Sequence, residues 1–138
     1  MSEGHITYRL GNDLDLDAVI EVYVDSTLGA RRPEGERDRM RQMLERANLV
    51  VSAWDDARLV GVARSLSDFC YATYLSDLAV RLDYQRLGVG RELVRRTQEA
   101  GGAANVVLLS APAAVDYYPK VGFAAAPGFI LRQGTRVT

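Results

Sequence analysis

The residues best placed to do chemistry lie between Gln85 and Arg91, in the stretch Gln85-Arg86-Leu87-Gly88-Val89-Gly90-Arg91. Two glycines stand just before a run of good helix formers, Arg91-Glu92-Leu93-Val94-Arg95-Arg96. Glycine lets the backbone curl so that successive N–H groups converge on one point. The helix start adds its unsatisfied donors and its partial positive charge. Together they make a site for an anion, most simply a phosphate or pyrophosphate. Arg86 and Arg91 place formal positive charge beside it. Two familiar phosphate loops do not fit. A dinucleotide fingerprint needs a third glycine where Leu93 stands. A Walker loop needs Gly-Lys-Ser/Thr, and Lys120 is the only lysine.

The turn does match Gln/Arg-x-x-Gly-x-Gly/Ala, with Gln85, Gly88 and Gly90 at the defining positions. A later segment, Ala114-Val115-Asp116-Tyr117-Tyr118-Pro119-Lys120-Val121-Gly122-Phe123, begins about 30 residues further on. It resembles Ala-x-x-Phe/Tyr-Tyr-x-x-x-Gly-Phe. The strand-like Leu78-Ala79-Val80 precedes the turn. In this order the three segments resemble the GNAT-type N-acetyltransferase superfamily, over about the last two thirds of the chain.

That resemblance implies acyl transfer from acetyl-CoA to an amine. The backbone at Arg86, Leu87, Gly88, Val89, Gly90 and Arg91 would hold the CoA pyrophosphate, with Gln85 opening the loop. Leu78, Ala79 and Val80 would hold the pantetheine arm, and Leu78 would help polarise the thioester carbonyl. Tyr118 matches the family's general acid near the CoA sulfur. Two departures stand out. Many relatives carry Asn where this chain has Ala111, so that contact is missing or passes to Ser110. Some relatives carry a Glu base near the position of Tyr74. Here the strand has Tyr74 and Ser76, and Asp77 is its only carboxylate. Strict alternation puts Asp77 on the face opposite Ser76 and Val80. It reads as a structural hydrogen-bonding group rather than a direct base, and a water chain could deprotonate the amine instead. The family also uses the loop between its first two helices for the acceptor, which brings in Arg31, Arg32 and Glu34.

Composition bounds the reading. The chain has 138 residues, suiting one domain over 1–138. A formal net charge of -1 makes no case for nucleic-acid or membrane affinity. Arginine supplies nearly all the positive charge, which suits anion binding and equally reflects base composition. Cys70, the single cysteine, excludes an intrachain disulfide and reads as a buried inert thiol. One His and one Cys argue against a transition-metal site. No run reads as a membrane span or signal peptide, so a cytoplasmic protein is expected.

The elements that must position these residues follow from periodicity and punctuation. His5 to Leu10 alternates as a strand. Asp13 or Asp15 caps a helix carrying Leu16, Val19, Ile20 and Tyr23, which runs to about Asp25. Thr27 to Glu34 is a polar turn. Gly35 to Ala47 reads as a second helix. Leu49–Trp54 and Leu59–Ser65 form a hairpin across Asp55-Asp56-Ala57-Arg58, with Gly61 marking a bulge or a close approach. The central strand starts near Ala72 or Thr73, and the helix after the glycine turn stops at Gly101-Gly102. Val106–Ser110 reads as a strand buried on both faces. Pro112 starts a short helix that Pro119 ends or distorts. Phe123–Ala126 and Phe129–Arg132 read as final strands. This order predicts an α/β fold, a mixed sheet with helices on both faces. The resemblance adds a splayed parallel strand pair, whose gap admits an extended amide-bearing arm.

The expectation is an acetyl-CoA-dependent N-acetyltransferase acting on a primary amine of a small molecule or protein. The alternative is a non-catalytic acyl-CoA sensor with the same fold. Homodimers are common in the resembled family.

Overall fold

The computed structural model describes residues 5–26 and 28–138. Thr27, the first residue of the expected polar turn, lies outside them. The chain divides into two compact units, Met1–Leu108 and Leu109–Thr138.

The first unit is built on a five-stranded sheet in the order β1 to β5. Its strands are β1 (Ile6–Leu10), β2 (Leu49–Asp55), β3 (Arg58–Ser67), β4 (Ala72–Val80) and β5 (Asn105–Val107). The first four pair antiparallel in sequence order, and β4 pairs with β5 in parallel. Helix α1 (Leu16–Asp25) is capped by the Asp15 carboxylate, which accepts from the Ala18 N–H at 3.0 Å. This decides between the two acids offered by the sequence. Helix α2 spans Arg37–Arg46, two residues later than Gly35, after a 3-10 turn at Leu28–Arg31. Val19, Val22 and Tyr23 of α1 and Met40 and Leu44 of α2 pack on Val50, Val62 and Ala79 of the sheet. Helix α3 (Val89–Ala100) covers the other face. There a Cβ on Gly61 would lie 3.0 Å from Leu93 Cδ1 and 3.3 Å from Val89 Cγ1. Gly61 therefore permits the close approach of α3, and the register shift falls opposite it, between Ala53 and Trp54.

A second register shift, between Arg64 and Ser65, sets Ser65 opposite Leu75 and Arg64 opposite Asp77. Ser76 is the extra residue, so β4 bulges there. Strict alternation, and with it the separation of Asp77 from Ser76, fails at this point. Thr73 lies against α3, since a Cβ on Gly101 would meet its Oγ1 at 2.9 Å. After the bulge Asp77 and Ala79 face α1 and α2 instead.

Cys70 is exposed, not buried. It stands in the β3–β4 turn, where the Asp68 carboxylate accepts from the N–H groups of Cys70, Tyr71 and Ala72. Strand β5 ends at Val107, and Val107 is 52% exposed. The expected burial on both faces fails because β5 is the outermost strand of the sheet.

In the second unit, Pro112–Ala114 forms a 3-10 turn and α4 covers Tyr117–Lys120. Pro119 falls in the first turn of α4, where no helical bond needs its missing N–H, so it neither ends nor breaks the helix. The two expected final strands do not form among the described residues. Phe129, Ile130 and Leu131 are exposed, Phe129 at 95%. β-prone side chains there have neither a ladder partner nor a buried face.

Candidate active site

The glycine turn is anchored at both ends. Before it, Arg81 donates its backbone N–H to Val60 O (2.9 Å) and its Nε–H to Leu59 O (2.8 Å). Leu82 N–H reaches the Asp25 carboxylate at the end of α1 (2.9 Å). Tyr84 is buried, and its hydroxyl donates to Asp55 Oδ2 at 2.6 Å. That bond raises the Tyr84 pKa, so the phenol stays protonated. After the turn, Val89 and Leu93 are buried beneath the helix.

Between these anchors the backbone turns sharply. Arg86 (φ 68°) and Gly88 (φ 82°) both adopt the left-handed conformation. Gly88 caps α3, and the first helical bond is Glu92 N–H to Gly88 O at 3.0 Å. Among the described residues, the backbone N–H groups from Arg86 to Arg91 meet no protein acceptor. Arg86 and Arg91 are exposed. Further along α3, Arg95 and Arg96 are paired with Glu92 and Glu99, whereas Arg86 and Arg91 have no carboxylate within ion-pair distance among the described residues. The Glu92 carboxyl, in the first turn, is held down at about 2 by hydrogen bonds from Arg95 and Arg96. The turn thus presents a row of unsatisfied donors and two unpaired cations, which is an anion cradle.

Gln85, expected to open the loop, donates its side-chain Nε2–H to Val80 O at 2.9 Å and ties the turn to the end of β4. This bond fixes how β4 presents its outer edge. Arg81 N–H points to β3, and Val80 O points away from it. With a period of two, the Leu78 N–H and C=O also point away from β3. β5 pairs with β4 only at Ala72, Thr73 and Tyr74. Beyond Tyr74, β4 has no strand neighbour on that side among the described residues, so the Leu78 peptide groups lie on an open edge. The parallel pairing of β4 with β5 stops where β5 ends, at Tyr74 and Val107. Leu78 is half-buried, while Ala79 and Val80 are buried.

On the α1–α2 side of the bulge lies a cluster that sequence reasoning found only in part. Asp77 is fully buried. Its Oδ2 accepts from Tyr23 OH (2.7 Å) and Arg64 Nε, and its Oδ1 from Arg32 Nε (2.6 Å) and Ser76 Oγ (3.2 Å). Arg64 also donates to Met43 O (3.2 Å) and Ser76 Oγ (3.0 Å). Arg32 also donates to Ser76 O at 2.7 Å. Burial pushes the Asp77 pKa up, but the hydrogen bond and charge of Arg64, with Tyr23 and Arg32, outweigh it and hold it below the usual carboxylate range. For Tyr23, burial and then the charge of Asp77 raise the pKa, so the phenol is a firm donor. With two bonds to each oxygen, Asp77 is a saturated structural carboxylate, as the sequence suggested, but by way of the bulge. Arg64 and Tyr23 carried no motif. A lone Arg inside an apolar β-strand was the available signal.

In the second unit, Tyr118 stacks edge-on against Tyr117 (5.2 Å) and Phe123 (5.4 Å). Burial first, and then Tyr117, raise its pKa above the ordinary phenol value. Ser110 Oγ donates to Ala111 O at 2.8 Å.

Comparison with known proteins agrees with this architecture. The family model described as an acetyltransferase (GNAT) domain matches residues 26–138, so the chain belongs to the GNAT acetyltransferase family. Serotonin N-acetyltransferase 2, chloroplastic, from Oryza sativa subsp. japonica, is 30% identical over 136 residues. That alignment covers 94% of this chain and 66% of the rice protein. The chain thus spans about two thirds of that relative's length. Among solved structures, the GNAT family acetyltransferase SP0256 of Streptococcus pneumoniae TIGR4 superposes with a TM-score of 0.76 at 24% identity, covering 93% of this chain and 98% of that one. Aminoglycoside N-acetyltransferase AAC(6')-Iy, solved with CoA, gives 0.72 at 16% identity, covering 94% of each chain. No helix among the described residues is long and apolar enough to cross a membrane.

Proposed function

We propose that this chain transfers an acetyl group from acetyl-CoA to a primary amine. The observation that carries the proposal is the anion cradle at Arg86–Arg91 continuing into the open edge of β4 at Leu78. A pyrophosphate fits the cradle, and an extended amide-bearing arm fits the edge as an added strand would. The CoA complex of AAC(6')-Iy and the acetyltransferase name of the rice relative support the same reading. A neutral amine attacks the thioester carbonyl, a C–N bond forms, and the C–S bond breaks. The leaving thiolate takes a proton. We assign that donation to Tyr118, whose raised pKa keeps the phenol protonated near neutrality. Ser110 takes the place of the missing asparagine contact.

The non-catalytic sensor reading retains one supporting observation: the only carboxylate of β4 is saturated and is not free to act as a base. Two measurements separate the readings. Acetyl-CoA, with ATP and NAD as controls, is titrated while the melting temperature is followed. A ligand at about 100 times its dissociation constant adds roughly 2.7 kcal/mol, a rise of several degrees. Thiol release is then assayed with an amine panel for the wild type and Tyr118→Phe. Turnover lost with acetyl-CoA binding kept supports the enzyme. Binding without turnover in either protein supports the sensor.

A further inference from the structure

The Asp77 cluster carries a charge imbalance that its structural role does not require. Two guanidinium groups, Arg32 and Arg64, share one carboxylate. Among the described residues, neither has a second carboxylate within ion-pair distance. Arginine stays protonated, so one positive charge is left without a counter-ion. Arg64 is 8% exposed and its share of Asp77 is held from inside the fold. Arg32 is the half that solvent reaches, its side chain 21% exposed. A guanidinium carries five N–H donors. Arg32 uses three, on Asp77 Oδ1, Arg31 O (2.9 Å) and Ser76 O (2.7 Å). Two donors remain, and Arg31 beside it is exposed and cationic.

The place of this charge matters as much as its sign. Ser76, whose carbonyl Arg32 holds, stands two residues past the last β4–β5 pair at Tyr74. It therefore lies where the open edge of β4 begins, two residues from Leu78. An arm that enters from the glycine turn and follows this edge ends here. α3 covers the opposite face of the sheet, so an acceptor reaching the arm's end can approach over the face that bears Arg32.

We propose that Arg32 is a specificity-determining residue for an acceptor amine that also bears a carboxylate, which the free guanidinium donors and the uncompensated charge hold while a polycationic amine is repelled. This rests on the acyl-transfer reading. It differs from the acceptors named for the rice serotonin enzyme and for the aminoglycoside enzymes, which are amines without that group.

The test compares short amino carboxylates with their amides and with diamines of equal chain length, each by thiol release from acetyl-CoA. The expected kcat/KM is at least about tenfold higher for the carboxylate than for its amide, the scale of one charge-assisted hydrogen bond. The diamine is expected to be poorer than either. Arg32→Gln should bring the carboxylate-to-amide ratio toward one, chiefly through KM. Should that variant fold poorly, the wild-type ratio is measured from about 50 mM to about 500 mM salt, where screening should shrink it several-fold. No carboxylate-bearing amine turned over better than its amide, or a salt-independent ratio, overturns the acceptor class while acetyl-CoA binding leaves the acyl-transfer reading standing. Absence of acetyl-CoA binding in the melting assay overturns both.

Discussion

Replacing Asp77 by asparagine tests the structural account of the bulge most directly. Asp77→Asn keeps the size and one carbonyl oxygen but removes the charge that Arg64 and Arg32 share. Breaking a buried ion pair from one side costs about 3–5 kcal/mol, because the remaining charge is stranded. Arg64 is the stranded group, and its bonds to Met43 O and Ser76 Oγ leave it placed but uncompensated. Arg32 is partly exposed and water can replace its lost partner, which favours the lower end, about 3 kcal/mol. For a domain of this size that is about 10 °C in Tm and a large part of a total of about 5–15 kcal/mol. Urea unfolding followed by circular dichroism gives the value. Tyr23→Phe removes a single hydrogen bond to the charged carboxylate and should cost less, about 1.5–2 kcal/mol. Adding Arg64→Met to Asp77→Asn removes the stranded cation and should recover about 2 kcal/mol, a coupling that independent sites would not show. A loss below about 0.5 kcal/mol for Asp77→Asn, or no recovery in the double variant, would refute the argument.

Gly61→Val should destabilise by about 1–3 kcal/mol, because the added atoms meet Leu93 and Val89 in a packed face; chemical denaturation measures it. At Gly88 a side chain meets nothing within 4 Å, so Gly88→Ala carries only the left-handed backbone penalty of about 1 kcal/mol. Its larger effect should be on the cradle, with acetyl-CoA affinity by calorimetry falling about tenfold or more if the turn relaxes. Acid should unfold the protein through Asp77. Its folded pKa lies below the unfolded value of about 3.9, so its contribution is full above that pH and is lost as the pH falls through the folded value. Stability of the wild type should therefore fall more steeply below about pH 4 than that of Asp77→Asn.

The glycine turn, the hairpin and the helix starts were legible because each is a local rule. An acid, Asp13 or Asp15, is expected to cap α1 and a glycine to let the chain curl before α3, and Asp15 and Gly88 take these places. The bulge at Ser76 was not legible. Nothing in Leu75-Ser76-Asp77-Leu78 breaks alternation. The shift comes from Arg64 and Tyr23 on other elements, both seeking the one buried carboxylate. The tie from Gln85 to Val80 O is likewise invisible in the sequence, because it depends on where β4 ends in three dimensions. Phe129-Ile130-Leu131 is the opposite case: its β-propensity predicts a strand, but it pairs with no strand among the described residues and its side chains are exposed.

Saturation of Asp77 also shapes the expected pH–rate profile. An enzyme base that titrates near neutrality would give kcat/KM a limb at its own pKa, common to every acceptor. β4 offers no such group: Asp77 accepts four hydrogen bonds and is held below the carboxylate range, and Ser76 is bound to it. The ascending limb should then follow the acceptor's own amine, since only its neutral form attacks. An acceptor whose amine titrates near 8, as α-amino groups do, and one near 10.4, as lysine side chains do, should give limbs separated by about two pH units. Rates measured over about pH 6–10 with saturating acetyl-CoA decide the matter. A limb near pH 7 shared by both acceptors would mean that a base outside β4 takes the proton, and the deprotonation step would have to be reassigned to it.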